Sequence, residues 1–169
     1  MSKLVRGGPA LVVVPLSTVA HWYREFTAWT DLNVVVYHGS AGDRSLIREY
    51  EMAFENDRPQ TGVSFNTLYL KKCLPKKASK VSSPWMVDVL VTTPEMLVAD
   101  DFAELSAISW EVLVVDEAHR LKNHNSKLAV NIRDKRFRFK HMLLLTGTPL
   151  QNSVGEFWAL LNIMDSNEY

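Results

Sequence analysis

Two neighbouring carboxylates lie at the end of an apolar run. Asp116 and Glu117 follow Val112–Val115, whose β-branched composition is typical of a buried strand. An acidic pair at a strand end can hold a hydrated Mg²⁺ with one member and orient an attacking water with the other. For an acidic pair taken alone, a solvated strand end with the aspartate as a helix N-cap is the favoured interpretation.

Five apolar runs predict the strands that would position this pair. The runs are continuous rather than alternating, which is typical of a parallel sheet buried on both faces. Ligands of such sheets gather at the carboxyl ends of the strands, so the residues after each run are candidates for a site. The runs are 10–14, 34–37, 87–91, 112–115 and 142–145.

Helical spacing between the runs completes an α/β pattern. Apolar residues recur every three or four positions after Ser17-Thr18, a natural N-cap pair, and after 153–156, which is typical of a capping box. Shorter helices are expected at 45–54 and 126–134. Strands that alternate with helices predict a parallel sheet joined by right-handed crossovers.

Aromatic residues are concentrated on the first predicted helix. Trp22, Phe26 and Trp29 recur at helical spacing. We therefore predict that they pack in the core and do not form a base-stacking platform.

Composition favours one soluble intracellular domain. A length of 169 residues suits a single domain with a real core, and 47% hydrophobic against 22% charged residues excludes wholesale disorder. No run approaches the ~18 apolar residues of a membrane span. The 19 basic residues balance 19 acidic ones, which argues against a wholly basic nucleic-acid binder but not against local patches. Cys73 is the only cysteine, so an intramolecular disulfide is impossible and a reducing compartment is favoured.

The segment 56–84 departs from the alternating pattern. It is polar, and we predict an insertion between a helix and the strand at 87–91. A solvated loop is the favoured interpretation of its basic run, and contact with DNA or a histone region is the alternative. Residues 71–80 hold five lysines and no acid: Lys71, Lys72, Lys76, Lys77 and Lys80.

Four segments at predicted strand ends resemble the motifs of one ATPase group. DEAHRLKN at 116–123 resembles the Walker B motif (motif II) of superfamily-two helicase-like ATPases. LLTGTPLQN at 144–152 resembles motif III of the SWI/SNF-like chromatin-remodelling ATPases. VPLST at 14–18, followed by Trp22, resembles motif Ia, and LVTTPE at 90–95 resembles motif Ib. Two long motifs in order, each at the end of an apolar run, are far more specific than a lone acidic pair.

One further segment is similar to the chromodomain-helicase-DNA-binding (CHD) branch of this group. The resemblance implies a RecA-like lobe with a mainly parallel sheet flanked by helices, and it implies that 1–169 is a partial helicase ATP-binding domain. The residues that carry the CHD similarity are Tyr37, His38, Gly39, Arg44, Ile47, Arg48 and Glu51.

The resemblance implies a role for each motif residue. Asp116 would reach the Mg²⁺ on ATP through water, and Glu117 would position the hydrolytic water. Coupling between the nucleotide state and a DNA-contacting surface would fall to His119, Thr146, Gly147 and Thr148.

Hydroxyl residues in the motifs Ia and Ib would contact the DNA sugar-phosphate backbone: Ser17, Thr18, Thr92 and Thr93. Hydroxyls and N–H groups at a helix start suit a phosphate oxygen, which independently favours this role. Plain helix capping is the alternative for Ser17 and Thr18, and the two roles can coexist.

ATP hydrolysis in this group also needs a phosphate-cradling loop, Gly-x-x-x-x-Gly-Lys-Thr. No such string occurs in the sequence. In the family this loop precedes motif Ia, so we expect the chain to lack the phosphate-loop strand, the adenine-recognising segment and the second RecA-like lobe with its arginine fingers.

Two hypotheses about function follow. The chain is part of the ATPase motor of a nuclear chromatin remodeller, a DNA translocase that acts on nucleosomes and histones, or it is a catalytically inactive truncated module that binds DNA or a partner.

Overall fold

The computed structural model describes residues 8–52, 86–99, 102–123, 125–147 and Ile163. The predicted insertion at 56–84, with its lysine run, lies outside the described residues, and so does most of the helix predicted after 153–156. The strands are β1 (Ala10–Val13), β2 (Val34–Tyr37), β3 (Val89–Thr92), β4 (Trp110–Val115) and β5 (Phe139–Leu144). The α-helices are α1 (Val19–Trp29), α2 (Ala41–Tyr50), α3 (Phe102–Ala107) and α4 (Lys127–Ile132), and 3₁₀ turns cover Leu16–Thr18 and Ala118–Leu121.

The five strands form one sheet in the order β2-β3-β1-β4-β5, and every neighbouring pair is parallel. The chain starts at the central strand, builds outward to β2, returns to β3, and then crosses to β4 and β5 on the other side. Each parallel connection needs a crossover, which the intervening segments provide. The predicted α/β fold with a parallel sheet is confirmed.

Both faces of the central strands are buried, as their continuous apolar runs predict. Leu11 and Val13 of β1 belong to the larger core, which α2, α3 and α4 help to cover. Val12 and Val14 belong to a smaller core on the other face, which α1 covers. Successive side chains of a strand point to opposite faces, so a strand covered by helices on both sides must be apolar at every position.

Helix α1 presents one apolar stripe to the sheet. Trp22 and Phe26, four residues apart, pack on the smaller core with ring centroids 5.8 Å apart. Trp29 is 81% exposed, so the prediction that it belongs to the core is wrong. A helix packed on a sheet buries only one side, and Trp29 is three residues beyond Phe26, toward the solvent-facing flank.

Helix α2 starts four residues before its predicted boundary. The Ser40 hydroxyl accepts a hydrogen bond from the Asp43 N–H at 3.3 Å, and the Asp43 carboxylate accepts one from the Ser40 N–H at 2.9 Å. This reciprocal capping box satisfies two donors at the helix start. It also holds the pKa of the Asp43 carboxyl below its ordinary value, through the Ser40 hydroxyl first and the Ser40 backbone second.

Within the described part of the chain, no helix has the length and apolar character needed to cross a bilayer.

Strand β5 is the edge of the described sheet, and we expect it to promote self-association. It pairs with β4 on one side, and no described strand pairs with its other side. Leu143 on this strand is 49% exposed, and burying one such side chain stabilises by roughly 1.5–3 kcal/mol. Unpaired apolar edges invite pairing with other chains, and zero net charge does little to oppose it.

Sedimentation velocity of the 169-residue chain should therefore show concentration-dependent association, and thermal unfolding should show marginal stability. Leu143→Lys should weaken the association, because a charge on an edge strand disfavours pairing. A monodisperse monomer with a cooperative unfolding transition at high temperature would contradict the prediction.

Candidate functional site

The carboxyl ends of the strands meet at one edge of the sheet. The register aligns the last residues of neighbouring strands: Val13 with Thr92 and Val115, Tyr37 with Thr92, and Val115 with Leu144. The segments that follow β1, β3, β4 and β5 therefore lie side by side. These segments are the four that resemble motifs Ia, Ib, II and III, so the parallel sheet brings together residues that are far apart in the sequence.

Asp116 lies at the tip of β4 and is held at three of its atoms. Its backbone N–H donates to the carbonyl of Val13 at 2.9 Å, which ties it to the tip of β1. Its carboxylate accepts a hydrogen bond at Oδ1 from the Glu117 N–H at 2.8 Å. The other oxygen, Oδ2, accepts one from Nε1 of Trp22 at 3.0 Å. The side chain is thus oriented by both its own chain and helix α1.

Trp22 is predicted to pack in the core and belongs to the motif Ia resemblance, but its hydrogen bond to Asp116 is seen only in the structure. Its ring does pack on the smaller core, but the residue is half-buried and its N–H reaches the carboxylate. The sequence signal was present, because Trp22 follows the motif Ia segment and a tryptophan carries a donor that needs a partner when buried. Nothing in local spacing identified Asp116 as that partner.

Glu117 is the one described non-glycine residue with a positive φ, at 49°. This left-handed conformation is disfavoured for residues with a side chain and is found mostly where the surroundings impose it. Glu117 Oε2 lies 3.0 Å from Nδ1 of His119, and both side chains are partly exposed. The turn therefore projects the Glu117 carboxylate toward solvent, with His119 beside it.

The segment after β5 is joined to this turn through the backbone. The Ala118 N–H donates to the Leu145 carbonyl at 2.8 Å, and the Leu145 N–H donates to the Val115 carbonyl at 2.9 Å. Thr146 follows directly and is half-buried, and Gly147 is exposed, with open space where a Cβ would lie. Thr148 lies outside the described residues. The segment that resembles motif III is thus joined to the acidic turn through the backbone, and it is described as far as Gly147.

An ion pair connects the segment after β3 to the same turn. Arg120 Nη1 lies 3.5 Å from Oε1 of Glu95. Partial burial by itself raises the pKa of the Glu95 carboxyl, but its own backbone N–H, the nearby Thr93 hydroxyl and Arg120 together lower that pKa below its usual value. Glu95 is therefore a carboxylate at neutral pH, and it links motif Ib to motif II.

The four hydroxyl residues predicted to touch DNA differ in their exposure. Ser17 is exposed in the 3₁₀ turn that precedes α1. Thr18 occupies the N-cap position, but its hydroxyl donates to the Pro15 carbonyl at 2.9 Å and caps no helical N–H, so the predicted side-chain cap is absent. Thr92 and Thr93 are fully buried.

Thr92 and Thr93 are buried, so their side chains are not accessible to a DNA phosphate in this structure. The Thr92 hydroxyl donates to the Tyr37 carbonyl at 2.8 Å and so joins the tips of β3 and β2. A direct phosphate contact by either side chain would require this edge of the sheet to open. Their role in DNA contact stays a prediction.

The acidic turn suits a hydrated magnesium ion. Among the described residues, no three His, Cys, Asp or Glu side chains are grouped to hold a metal ion by themselves. Mg²⁺ does not need such a group, because it commonly keeps several waters and binds one or two carboxylates together with substrate phosphates. The Asp116 carboxylate has about four lone-pair positions, and its two hydrogen bonds leave room for metal-bound waters.

Comparisons with known proteins agree with the motifs. The chain is 41% identical over 167 residues to chromodomain-helicase-DNA-binding protein 6 of Rattus norvegicus, covering 98% of this chain and 5% of that protein. It is 40% identical over 161 residues to chromodomain-helicase-DNA-binding protein 8 of Danio rerio, covering 95% of this chain and 6% of that protein. The similarity to the CHD branch is therefore confirmed, and the chain spans about one-twentieth of the length of these relatives.

A solved structure supports the fold. The SWI2/SNF2 ATPase core of Sulfolobus solfataricus, in complex with double-stranded DNA, matches 96% of this chain and 26% of its own chain, with a TM-score of 0.64 and 24% identity. The RecA-like α/β architecture is thereby confirmed. The family model of the SNF2-related domain matches residues 2–169. The chain belongs to the SNF2-related domain family.

Proposed function

We propose that this chain is part of the ATPase motor of an ATP-dependent chromatin remodeller, a nuclear DNA translocase that acts on nucleosomes. The observation that carries the proposal is the placement of Asp116 and Glu117 at the tip of β4, beside the segments after β1, β3 and β5. Membership in the SNF2-related domain family and the similarity to CHD proteins support it. The 169 residues then correspond to a partial helicase ATP-binding domain, with 56–84 as an insertion.

Within such a motor, the acidic turn supplies one half of the ATP site. Asp116 would hold a hydrated magnesium ion with the lone pairs that Trp22 and Glu117 leave unused. Glu117 accepts a proton from the attacking water and orients it, and the partly exposed carboxylate is suited to both tasks. Bound Mg²⁺ would neutralise charge that develops on the phosphates.

Of the four residues proposed for coupling, the three that the structure describes lie around this turn: His119, Thr146 and Gly147. His119 contacts the Glu117 carboxylate, so a change in its position alters the proposed catalytic base. Thr146, Gly147 and Thr148 follow β5, whose end is hydrogen-bonded to Ala118. We propose that these residues transmit the nucleotide state to the DNA-contacting surface.

The remaining parts of the ATP site come from outside these 169 residues. The sequence holds no Gly-x-x-x-x-Gly-Lys-Thr loop, so the lysine and backbone donors that cradle the phosphates must be supplied by another segment. A second RecA-like lobe would supply the arginines that stabilise the transition state. ATP turnover by a chain that joins these elements to the 169 residues, measured with and without DNA, tests the enzyme function.

The same missing loop favours a second candidate function, a catalytically inactive module that binds DNA or a protein partner. The coding sequence upstream of these residues distinguishes the two candidate functions. An in-frame Gly-x-Gly-Lys-Thr immediately upstream in the coding sequence supports the motor, and its absence supports the binding module.

DNA binding provides a test that needs no ATP. We propose that Ser17 and Thr18, with Thr92 and Thr93 as the buried support of the same edge, form a weak site for the DNA backbone. Two unrelated duplexes should bind with similar affinity in fluorescence anisotropy, because phosphates carry no sequence information. The salt dependence should be shallow, roughly one unit of slope per Lys or Arg that contacts a phosphate.

A pair of serine variants provides the matched control for this experiment. Ser17→Ala should weaken binding by about fivefold, the loss of one hydrogen bond worth roughly 1 kcal/mol. Ser45→Ala, at an exposed serine of α2, should leave the affinity unchanged. Strong preference for one duplex, or equal loss in both variants, would contradict the proposed site.

A further inference from the structure

The indole of Trp22 is joined to the acidic turn across 94 residues of sequence. Its Nε1 lies 3.0 Å from Oδ2 of Asp116. The ring is held on the sheet by the smaller core and by Phe26, which contacts it one helical turn later. Packing therefore fixes the direction of the N–H, and a donor with a fixed direction fixes the carboxylate that accepts it.

The two hydrogen bonds occupy some of the lone-pair positions of the Asp116 carboxylate and leave the others free for a ligand. Oδ1 accepts from the Glu117 N–H and Oδ2 accepts from Trp22, one bond on each oxygen. A carboxylate has about four lone-pair positions, so one position on each oxygen is left. With both oxygens anchored, the carboxylate cannot rotate freely, and the unused positions point in a constant direction.

The indole donor of Trp22 carries no charge, and this affects the charge that Asp116 can offer to a cation. An indole N–H is a neutral donor with no acceptor capacity. An arginine or lysine in its place would orient Asp116 equally well but would cancel the negative charge that attracts a cation. A tryptophan orients the carboxylate and leaves its full charge for the ligand.

We propose that Trp22 is a positioning residue for magnesium: its indole N–H orients the Asp116 carboxylate so that the unused lone pairs face the metal's waters. This inference rests on the proposed function, because it assumes that Asp116 is the magnesium carboxylate. It goes further in assigning a role to a residue of helix α1. The orientation of the carboxylate then depends on the position of the helix that follows the proposed DNA segment.

The chain contains a matched control on the same helix. Trp29 also donates its Nε1–H to a carboxylate, Oε2 of Glu25, at 3.0 Å. Trp29 is 81% exposed and this bond lies on the surface of α1, away from the sheet. Both tryptophans share residue type, helix and kind of bond, but Trp29 is exposed, lies outside the core and does not contact Asp116.

The first measurement tests the bond itself in the full 169-residue chain. The indole ¹H–¹⁵N signals are recorded by TROSY NMR and assigned with single Trp→Phe variants. Asp116→Asn should shift the Trp22 indole signal, because the charged acceptor is lost, and should leave the Trp29 signal in place. An unchanged Trp22 signal would overturn the proposal.

The second measurement tests metal positioning, with Mn²⁺ as the probe. The signal of the Glu117 backbone N–H, which donates to Asp116, should broaden as Mn²⁺ is added. Trp22→Phe should raise the Mn²⁺ concentration for half-broadening by about tenfold, the lower end of the 10–100-fold that such supporting partners contribute. Trp29→Phe should not change it.

An isostere removes the N–H without disturbing the packing. Replacing Trp22 by 3-benzothienylalanine puts sulfur in place of the N–H and keeps the bicyclic shape, so the variant should fold like the parent and show the same tenfold weakening. Broadening that is abolished by Asp116→Asn but unaffected by both Trp22 changes would overturn the role of Trp22 and leave the magnesium site standing. Broadening that persists in Asp116→Asn would overturn the magnesium site and the role of Trp22 with it.

Discussion

Glu117→Gln should abolish ATP turnover in a motor that joins these residues to a phosphate loop and a second lobe. The amide keeps the size of the side chain but cannot accept the proton of the attacking water, and a positioned general base contributes about 10²–10⁴-fold in rate. Binding of ATP should change little, because Asp116 would still be available to hold the magnesium ion. Phosphate release and nucleotide affinity, measured on the same preparation, check the two halves of this prediction.

Strand β4 offers a control for that experiment. Glu111 lies near the start of the strand and pairs with Lys140 at 2.7 Å, far from the tip that carries Glu117. Glu111→Gln removes a carboxylate from the same strand and should cost at most about 1 kcal/mol of stability, as surface ion pairs do, with turnover unchanged. A large loss of nucleotide affinity in Glu117→Gln would show that Glu117 has a role other than water activation.

The 169-residue chain by itself should show no ATPase activity above background, with or without DNA. No lysine loop is present in the sequence to hold the phosphates, and no second lobe supplies arginines. Arginine fingers alone contribute on the order of 10³–10⁵ in rate, so their loss is enough to bring turnover to background. Phosphate release that is stimulated by DNA and disappears in Glu117→Gln would refute this expectation.

The strands were predictable because each is an apolar run, but their lengths were not. Strand β5 begins at Phe139, three residues before the predicted run, and β4 begins at Trp110. These two residues are partners in the register, and the polar His141 is paired as well, with Val112. Because β5 is the edge of the described sheet, its side chains need not be apolar, and hydropathy could not mark where it begins.

The start of helix α2 could be predicted from nearby residues, and the start of helix α1 could not. The capping box of Ser40 and Asp43 is a local signal that was available in the sequence and sets the start of α2. The start of α1 is different, since the Thr18 hydroxyl donates a hydrogen bond to the Pro15 carbonyl in a 3₁₀ turn and caps no helical N–H. Residue type alone could not distinguish a capping hydroxyl from one bonded to the preceding turn.

The sequence by itself determined the fold class, the order of the motifs and the presence of an acidic pair at a strand end. These follow from local composition, since buried strands need apolar runs and a site needs particular side chains after them. Only the tertiary structure decided which groups contact each other: Trp22 with Asp116, Arg120 with Glu95, and the buried Thr92 hydroxyl with Tyr37. Parallel strands pair residues from distant parts of the chain, and the partner of a donor depends on that register, which no local periodicity encodes.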